Sequence, residues 1–158
     1  MKRVYERLFI GVESECFENK VGWAIVHACK SPCHQRAVGY RGSLPSNHPN
    51  YLVLERRNNL FLNMIDPTQP LFMMPLFTEF LRFAKEQWES DKNVLIHCNK
   101  GESRAPSLAL LLLAKEIKSI RSASYDQARE DFIKIYPAYT PGTGIQTYLR
   151  NNWEKMII

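Results

Sequence analysis

The sequence predicts an α/β fold, one domain with a central sheet and helices on both of its faces. Short apolar segments of strand character alternate with segments of helical periodicity, a pattern that builds layered α/β domains. The chain has 158 residues, enough for one hydrophobic core and too few for two. It contains no internal repeat, low-complexity tract or Gly/Ser linker, so residues 1–158 are expected to form a single domain.

Val21 to Ala28 (VGWAIVHA) reads as a buried strand, and Leu60 to Ile65 (LFLNMI) as a second. Between them, residues 30–50 hold Pro32, Gly39, Gly42, Pro45 and Pro49 and read as loop. The early region is where antiparallel pairing would be added. From Leu71 to Glu89, Phe72, Leu76, Phe80, Phe83 and Trp88 recur at helical spacing, with Pro75 in the first turn, where a missing N–H is harmless. Asn93 to Cys98 (NVLIHC) is a core strand that runs through a Gly-containing loop into a helix starting near Arg104 or Ala105. Apolar residues surround most of that helix, so it is expected to be buried on nearly all sides. Another helix is predicted over Tyr125 to Ile135, with Ser124 and Gln127 in a capping-box pattern. A last one follows Thr143, with Gln146 as its reciprocal cap, to about Met156.

No apolar stretch is long enough to cross a bilayer; the longest aliphatic run, Leu108 to Ala114, fits a buried helix. The basic N-terminus has no apolar region behind it, so no secretion signal is expected. The four cysteines are then expected as reduced thiols, in the cytoplasm. Between Lys20 and Ile65 lie six basic residues and one acid, which accounts for the whole net charge of +5. Such a sector fits an anionic partner, and equally a solvated loop face.

The chemistry concentrates in His97-Cys98-Asn99-Lys100-Gly101-Glu102-Ser103-Arg104. A bare Cys-x5-Arg pair arises by chance in about one chain in four of this composition. Here, though, the cysteine closes an apolar strand and the arginine opens a helix. A loop of that length gathers backbone N–H groups around one point, to which the helix start adds its partial positive charge. Gly101 supplies a conformation that other residues resist. Lys100 and Arg104 sit at the unfavourable end of the helix dipole for cations, a cost that an anion among them removes. All these groups favour the ionised sulfur of Cys98, which is the nucleophile. Backbone donors and a planar guanidinium match the three equatorial oxygens of a transferring phosphoryl group, so residues 99 to 104 are expected to hold phosphate. A phosphocysteine forms and water hydrolyses it, with no cofactor expected. The leaving oxygen needs a proton, and Asp66, in the loop Asp66-Pro67-Thr68-Gln69-Pro70 after a strand, is the best-placed acid. Capping the next helix is its plainer role. Asp91 precedes the strand of Cys98 and belongs at the opposite edge; Asp126 and Asp131 read as surface charges. His97 is expected to bond backbone groups of the loop and tune Cys98.

His-Cys-x5-Arg after an apolar strand resembles the signature loop of protein-tyrosine and dual-specificity phosphatases. The separation of Asp66 from Cys98 resembles the compact dual-specificity branch. HCNKGESRAPSLALLLLAK, with HACKSPCH upstream and YPAYTPGTGI downstream, is similar to small phosphatase-like proteins of phages and bacteria. The resemblance spans about residues 20 to 153. It implies a dual-specificity-phosphatase-like sheet with flanking helices, Cys98 as nucleophile, Arg104 as phosphate ligand and Asp66 as general acid. In some relatives an amide side chain orients the attacking water, a role open to Gln146 beside its capping one. The family usually carries Ser or Thr after the arginine, a hydroxyl that helps the sulfur leave; this chain has Ala105. Glu102 opposes phosphate unless it faces outward or pairs with a cation such as Arg41 or Arg57.

The implied substrate is a phosphorylated protein or another anionic phosphoester, with phosphotyrosine first and phosphoserine or phosphothreonine beside it. A catalytically weak phosphate-binding pseudophosphatase, or a phosphatase of RNA 5′-triphosphate or phosphoinositide, are the alternatives. Nucleic acid is less favoured because no aromatic residues interleave with the basic ones, and no membrane is expected. His27-Ala-Cys29-Lys-Ser-Pro-Cys33-His34 packs four potential metal ligands into eight residues but has no second ligand pair nearby. It reads as core packing and loop polarity, and no metal site is expected.

Overall fold

A computed structural model describes all 158 residues. Six strands form one sheet in the order β1 (Lys2–Tyr5), β2 (Leu8–Gly11), β6 (Asn93–His97), β3 (Trp23–Ala28), β5 (Asn59–Leu62), β4 (Val53–Arg56). The central strand β6 runs parallel to both neighbours, Ile96 standing beside Ile10 on one side and Val26 on the other. Strand β3 is parallel to β5, and the sheet is finished at each edge by an antiparallel partner, β1 and β4.

Side-chain alternation divides the sheet into two unequal faces. Ala24, Val26, Leu60, Leu62, Val94, Ile96 and Cys98 share the main core. That face is covered by α2 (Met74–Glu89), α3 (Arg104–Leu112), α4 (Tyr125–Ile135) and α5 (Thr143–Asn152), all of which add residues to this core. The apolar stripe of α2 places Phe77, Phe80 and Phe83 in it with no solvent exposure, and each such ring contributes about 1.5–3 kcal/mol by burial. As expected, α3 is buried all round from Ala105 onward. The opposite face has only the short α1 (Gln35–Val38) and a three-residue cluster of Cys29, Cys33 and Phe61. Helices therefore lie on both faces, four against one.

Several local expectations shift. Residues 30–50 are not all loop, because a wide turn over Lys30–His34, closed by the His34 N–H on the Cys29 carbonyl at 3.0 Å, leads into α1. Strand β3 starts at Trp23, since Gly22 turns the chain at φ +82° and leaves Val21 fully exposed. The antiparallel pairing expected of the early region is present as the edge hairpin β1/β2, whose strands are only four residues long and so carry little alternation of their own. The Thr143/Gln146 capping box does not form. Gly142 is the N-cap of α5, Thr143 Oγ1 donates instead to the Thr68 carbonyl at 2.9 Å, and Gln146 Oε1 accepts from the Tyr125 hydroxyl at 3.4 Å. At α4 the Ser124 cap is present, its hydroxyl accepting from the Gln127 N–H at 3.2 Å. Trp153 anchors the chain end, donating from Nε1 to the Ser122 carbonyl at 2.7 Å. No helix is long and apolar enough to cross a membrane.

Candidate active site

Strand β6 ends at His97, and the two-residue period sends His97 and Cys98 to opposite faces of the sheet. Cys98 lies at the base of the loop that enters α3, and its Sγ accepts the Gly101 N–H at 3.3 Å. Gly101 has φ +69°, and a Cβ there would stand 3.1 Å from the Gly11 carbonyl oxygen and 3.2 Å from Val12 Cγ1. Both the backbone conformation and the space require glycine.

Arg104 opens α3 and is fixed at two corners. Its Nη1 donates to the Met64 carbonyl at 2.9 Å, and its Nη2 to Asn99 Oδ1 at 2.6 Å. Its Nε–H is buried and has no partner within the protein. Asn99 is itself anchored, its Nδ2 donating to the Ser31 carbonyl at 3.1 Å and to the Glu13 carboxylate.

A cavity of about 340 Å³ brings Asp66 together with Cys98, Asn99, Lys100, Glu102, Ser103 and Arg104, and Thr140 and Gly142 complete its wall. The segment before α5 clamps the Asp66 loop to the cysteine loop. Gly142 N–H donates to Ser103 Oγ at 2.8 Å, and Thr140 N–H to the Glu102 carbonyl at 2.8 Å. A Cβ on Gly142 would stand 2.5 Å from Asp66 Oδ1, so glycine leaves the space that the carboxylate occupies. Lys100 and Glu102 are exposed. Of the two expectations for Glu102, the outward-facing one matches the geometry, and no ion pair with Arg41 or Arg57 forms. Ala105 is fully buried, and the Ser103 hydroxyl beside it is engaged by Gly142.

The remaining candidates lie elsewhere. His97 touches the loop backbone only at the Cys98 carbonyl, 3.4 Å from Nδ1, and its Nε2 points into the opposite face. Gln146 is not on the cavity wall. Asp91 is exposed at the far end of β6, where it faces Arg7 at 3.8 Å. Asp126 and Asp131 are surface ion-pair partners of Arg150 and Arg121; hydrogen bonds from Arg121 bring the Asp131 carboxyl down to about 2. A larger groove of about 480 Å³ lies between β4 and α2 but contains no cysteine, and its guanidinium, Arg82, is already held by Glu55, Glu79 and Glu86.

Sequence reasoning missed Tyr136. Its hydroxyl donates to the Gly101 carbonyl at 2.6 Å and props the loop from below. Burial pushes its phenol above the usual range, and the nearby Cys98 and Glu102 charges add to the shift. The signal available was YPAY, an aromatic pair just after an amphipathic helix.

No protein-family model and no curated protein sequence matches the chain. Solved structures do. A human tyrosine phosphatase-like serine/threonine/tyrosine-interacting protein superposes with TM-score 0.66 at 16% identity, over 97% of this chain and 94% of that one. Human DUSP28 matches with TM-score 0.62 at 15% identity, over 97% and 92%. The Yvh1 phosphatase domain from Chaetomium thermophilum matches with TM-score 0.61 at 15% identity, over 96% and 92%. At these identities the likeness concerns architecture, and it extends over nearly the whole length of each chain. The six-stranded mixed sheet, the strand-loop-helix around Cys98 and the four helices on one face together give this chain the fold of the dual-specificity phosphatases.

Proposed function

We propose that the chain is a phosphomonoester hydrolase that works through a phosphocysteine on Cys98, with phosphotyrosine as the leading substrate and phosphoserine or phosphothreonine beside it. The observation that carries this reading is the buried, unpartnered Nε–H of Arg104 at the wall of the cavity that holds Cys98. An unanswered buried donor costs about 1–3 kcal/mol, and a phosphate oxygen in that cavity would answer it. In the first step Cys98 Sγ forms a bond to phosphorus while the bond to the leaving oxygen breaks, and that oxygen takes the Asp66 proton. In the second, water attacks phosphorus, the P–S bond breaks, and the Asp66 carboxylate takes the water's proton. Arg104 and the loop N–H groups stabilise the equatorial oxygens through both steps.

The test is hydrolysis of a small aryl phosphate: turnover that vanadate inhibits and Cys98→Ser abolishes supports the reading, and turnover that survives Cys98→Ser ends it.

A second reading is favoured by one observation, the buried Ala105 where a hydroxyl would assist the leaving sulfur. The chain would then capture phosphorylated partners and turn them over slowly. Likeness to a protein described as phosphatase-like and interacting is in keeping with that reading. A phosphocysteine that forms and persists would select it.

A further inference from the structure

Behind the cysteine loop, on the helix-poor face of the sheet, four side chains converge that the proposed hydrolysis does not use. They are Cys16 from the connection between β2 and β3, His27 of β3, Cys33 from the turn before α1, and His97 of β6. One ligand-type atom from each, two sulfurs and two ring nitrogens, all lie within 4.8 Å of one another. Cys16 Sγ is 3.4 Å from His27 Nδ1, His27 Nδ1 is 2.8 Å from His97 Nε2, and His97 Nε2 is 3.9 Å from Cys33 Sγ. A tetrahedral zinc ion with ordinary Zn–S and Zn–N bonds sets ligand atoms about 3.3–3.8 Å apart. The two sulfur–nitrogen separations come within a few tenths of an ångström of that. The two ring nitrogens stand about half an ångström closer than a shared ion would hold them, and no pair is more than 4.8 Å apart, so small side-chain shifts would close the tetrahedron.

The outward ring nitrogens say which atoms face inward as lone pairs. His27 Nε2 is 3.0 Å from Asn59 Oδ1, and Asn59 Nδ2 donates to the Glu18 carbonyl at 2.9 Å, which fixes the amide with its oxygen toward the ring. His97 Nδ1 faces the Cys98 carbonyl. Both outward nitrogens thus meet acceptors and call for hydrogen. That turns His27 Nδ1 inward as a lone pair, 2.8 Å from His97 Nε2; without an ion the two nitrogens share a proton as a hydrogen bond, and a cation that displaces that proton would take both lone pairs. Such oxygen partners on the outer nitrogens are what metal-bound histidines use to fix their orientation.

We propose that Cys16, His27, Cys33 and His97 form a structural zinc site. Two thiolates and two imidazoles in a tetrahedron suit Zn²⁺, and the two thiolates neutralise the ion, so no net charge is buried. His27 and His97 are register partners on adjacent parallel strands, which places both rings on one face. A cleft of about 30 Å³, lined in part by Cys16, His27 and Cys33, gives access from the surface. The sequence reading found no second ligand pair for His27 and Cys33; the fold supplies it from Cys16 and His97. The site would staple a face whose apolar cluster contains just three residues, and would fix the residue next to Cys98.

The test uses the full chain purified without chelators and without a histidine tag. Elemental analysis is expected to give about one zinc per chain. Cobalt substitution is expected to give the intense visible bands of tetrahedral Co²⁺ together with a thiolate charge-transfer band, which needs no variant to fold. Cys16→Ser and Cys33→Ser are each expected to weaken zinc at least about tenfold against a chromophoric chelator. Cys98→Ser and Cys29→Ser keep it. Removing zinc is expected to lower Tm by roughly 10 °C, reversed on adding it back. Well under about a tenth of a zinc per chain after zinc reconstitution, with no tetrahedral cobalt bands, would overturn the proposal. So would a Cys16–Cys33 disulfide in the purified, metal-free chain. Zinc that leaves with Cys98→Ser and stays in Cys16→Ser would put the ion in the catalytic cavity instead and overturn it too.

Discussion

Arg104 Nη2 donates to Asn99 Oδ1 at 2.6 Å, so the first residue after Cys98 holds the guanidinium at the start of α3. The hydrogen bond crosses the mouth of the loop, and Asn99 is in turn tied to Ser31 and Glu13 on neighbouring segments. Orientation of Arg104 is therefore set by the fold and precedes any ligand.

Asn99→Ala removes one of the two anchors on Arg104 and leaves the Met64 carbonyl as the other. kcat/KM for an aryl phosphate is expected to fall about 10- to 100-fold, as small misplacements of a phosphate clamp do. The thermal midpoint should move little, since Asn99 is only partly buried. Steady-state kinetics alongside a melting curve checks both; unchanged kcat/KM would show that Met64 alone suffices.

Tyr136→Phe keeps the ring and deletes the donor to the Gly101 carbonyl. Gly101 is buried, so the carbonyl loses its partner at a cost of about 1–3 kcal/mol. Denaturant titration is expected to show that loss with an unchanged m-value. Activity should drop as well, because the same carbonyl belongs to the loop that carries Cys98.

How much of this was legible in the sequence depends on the distance between the residues concerned. The strand-loop-helix around Cys98 is local, and apolar periodicity with the glycine at position 101 was enough to outline it. Asp66 stood out because a strand leads into its proline-rich loop. Asn99 and Tyr136 were harder, since their roles come from contacts made by a side-chain amide and a phenol with backbone far along the chain. The expected contact of His97 with loop backbone is present at the Cys98 carbonyl, while strand alternation puts the two side chains on opposite faces. The same alternation, with the register of β3 against β6, brings His97 to His27 across 70 residues. No spacing rule within one segment reports such a pair.

Asp66→Asn tests the proton donor. Its effect should grow with the basicity of the leaving group: about 100-fold slower with phenyl phosphate, and much less with a nitrophenyl ester whose oxide leaves unaided. A loss of equal size for both would assign Asp66 to holding the loop at Gly142 instead of to proton transfer.

The most direct measurement is a rapid-quench experiment with an aryl phosphate, followed by mass analysis of the peptide that carries Cys98, in the wild type, Cys98→Ser and Ala105→Ser. The expected result is a burst of the released phenol matching the enzyme concentration, one phosphoryl group on Cys98, and neither in Cys98→Ser. Ala105→Ser is expected to shorten the lifetime of that phosphocysteine. An unmodified Cys98 peptide during turnover, with the burst intact in Cys98→Ser, would contradict the assignment of Cys98 as the nucleophile.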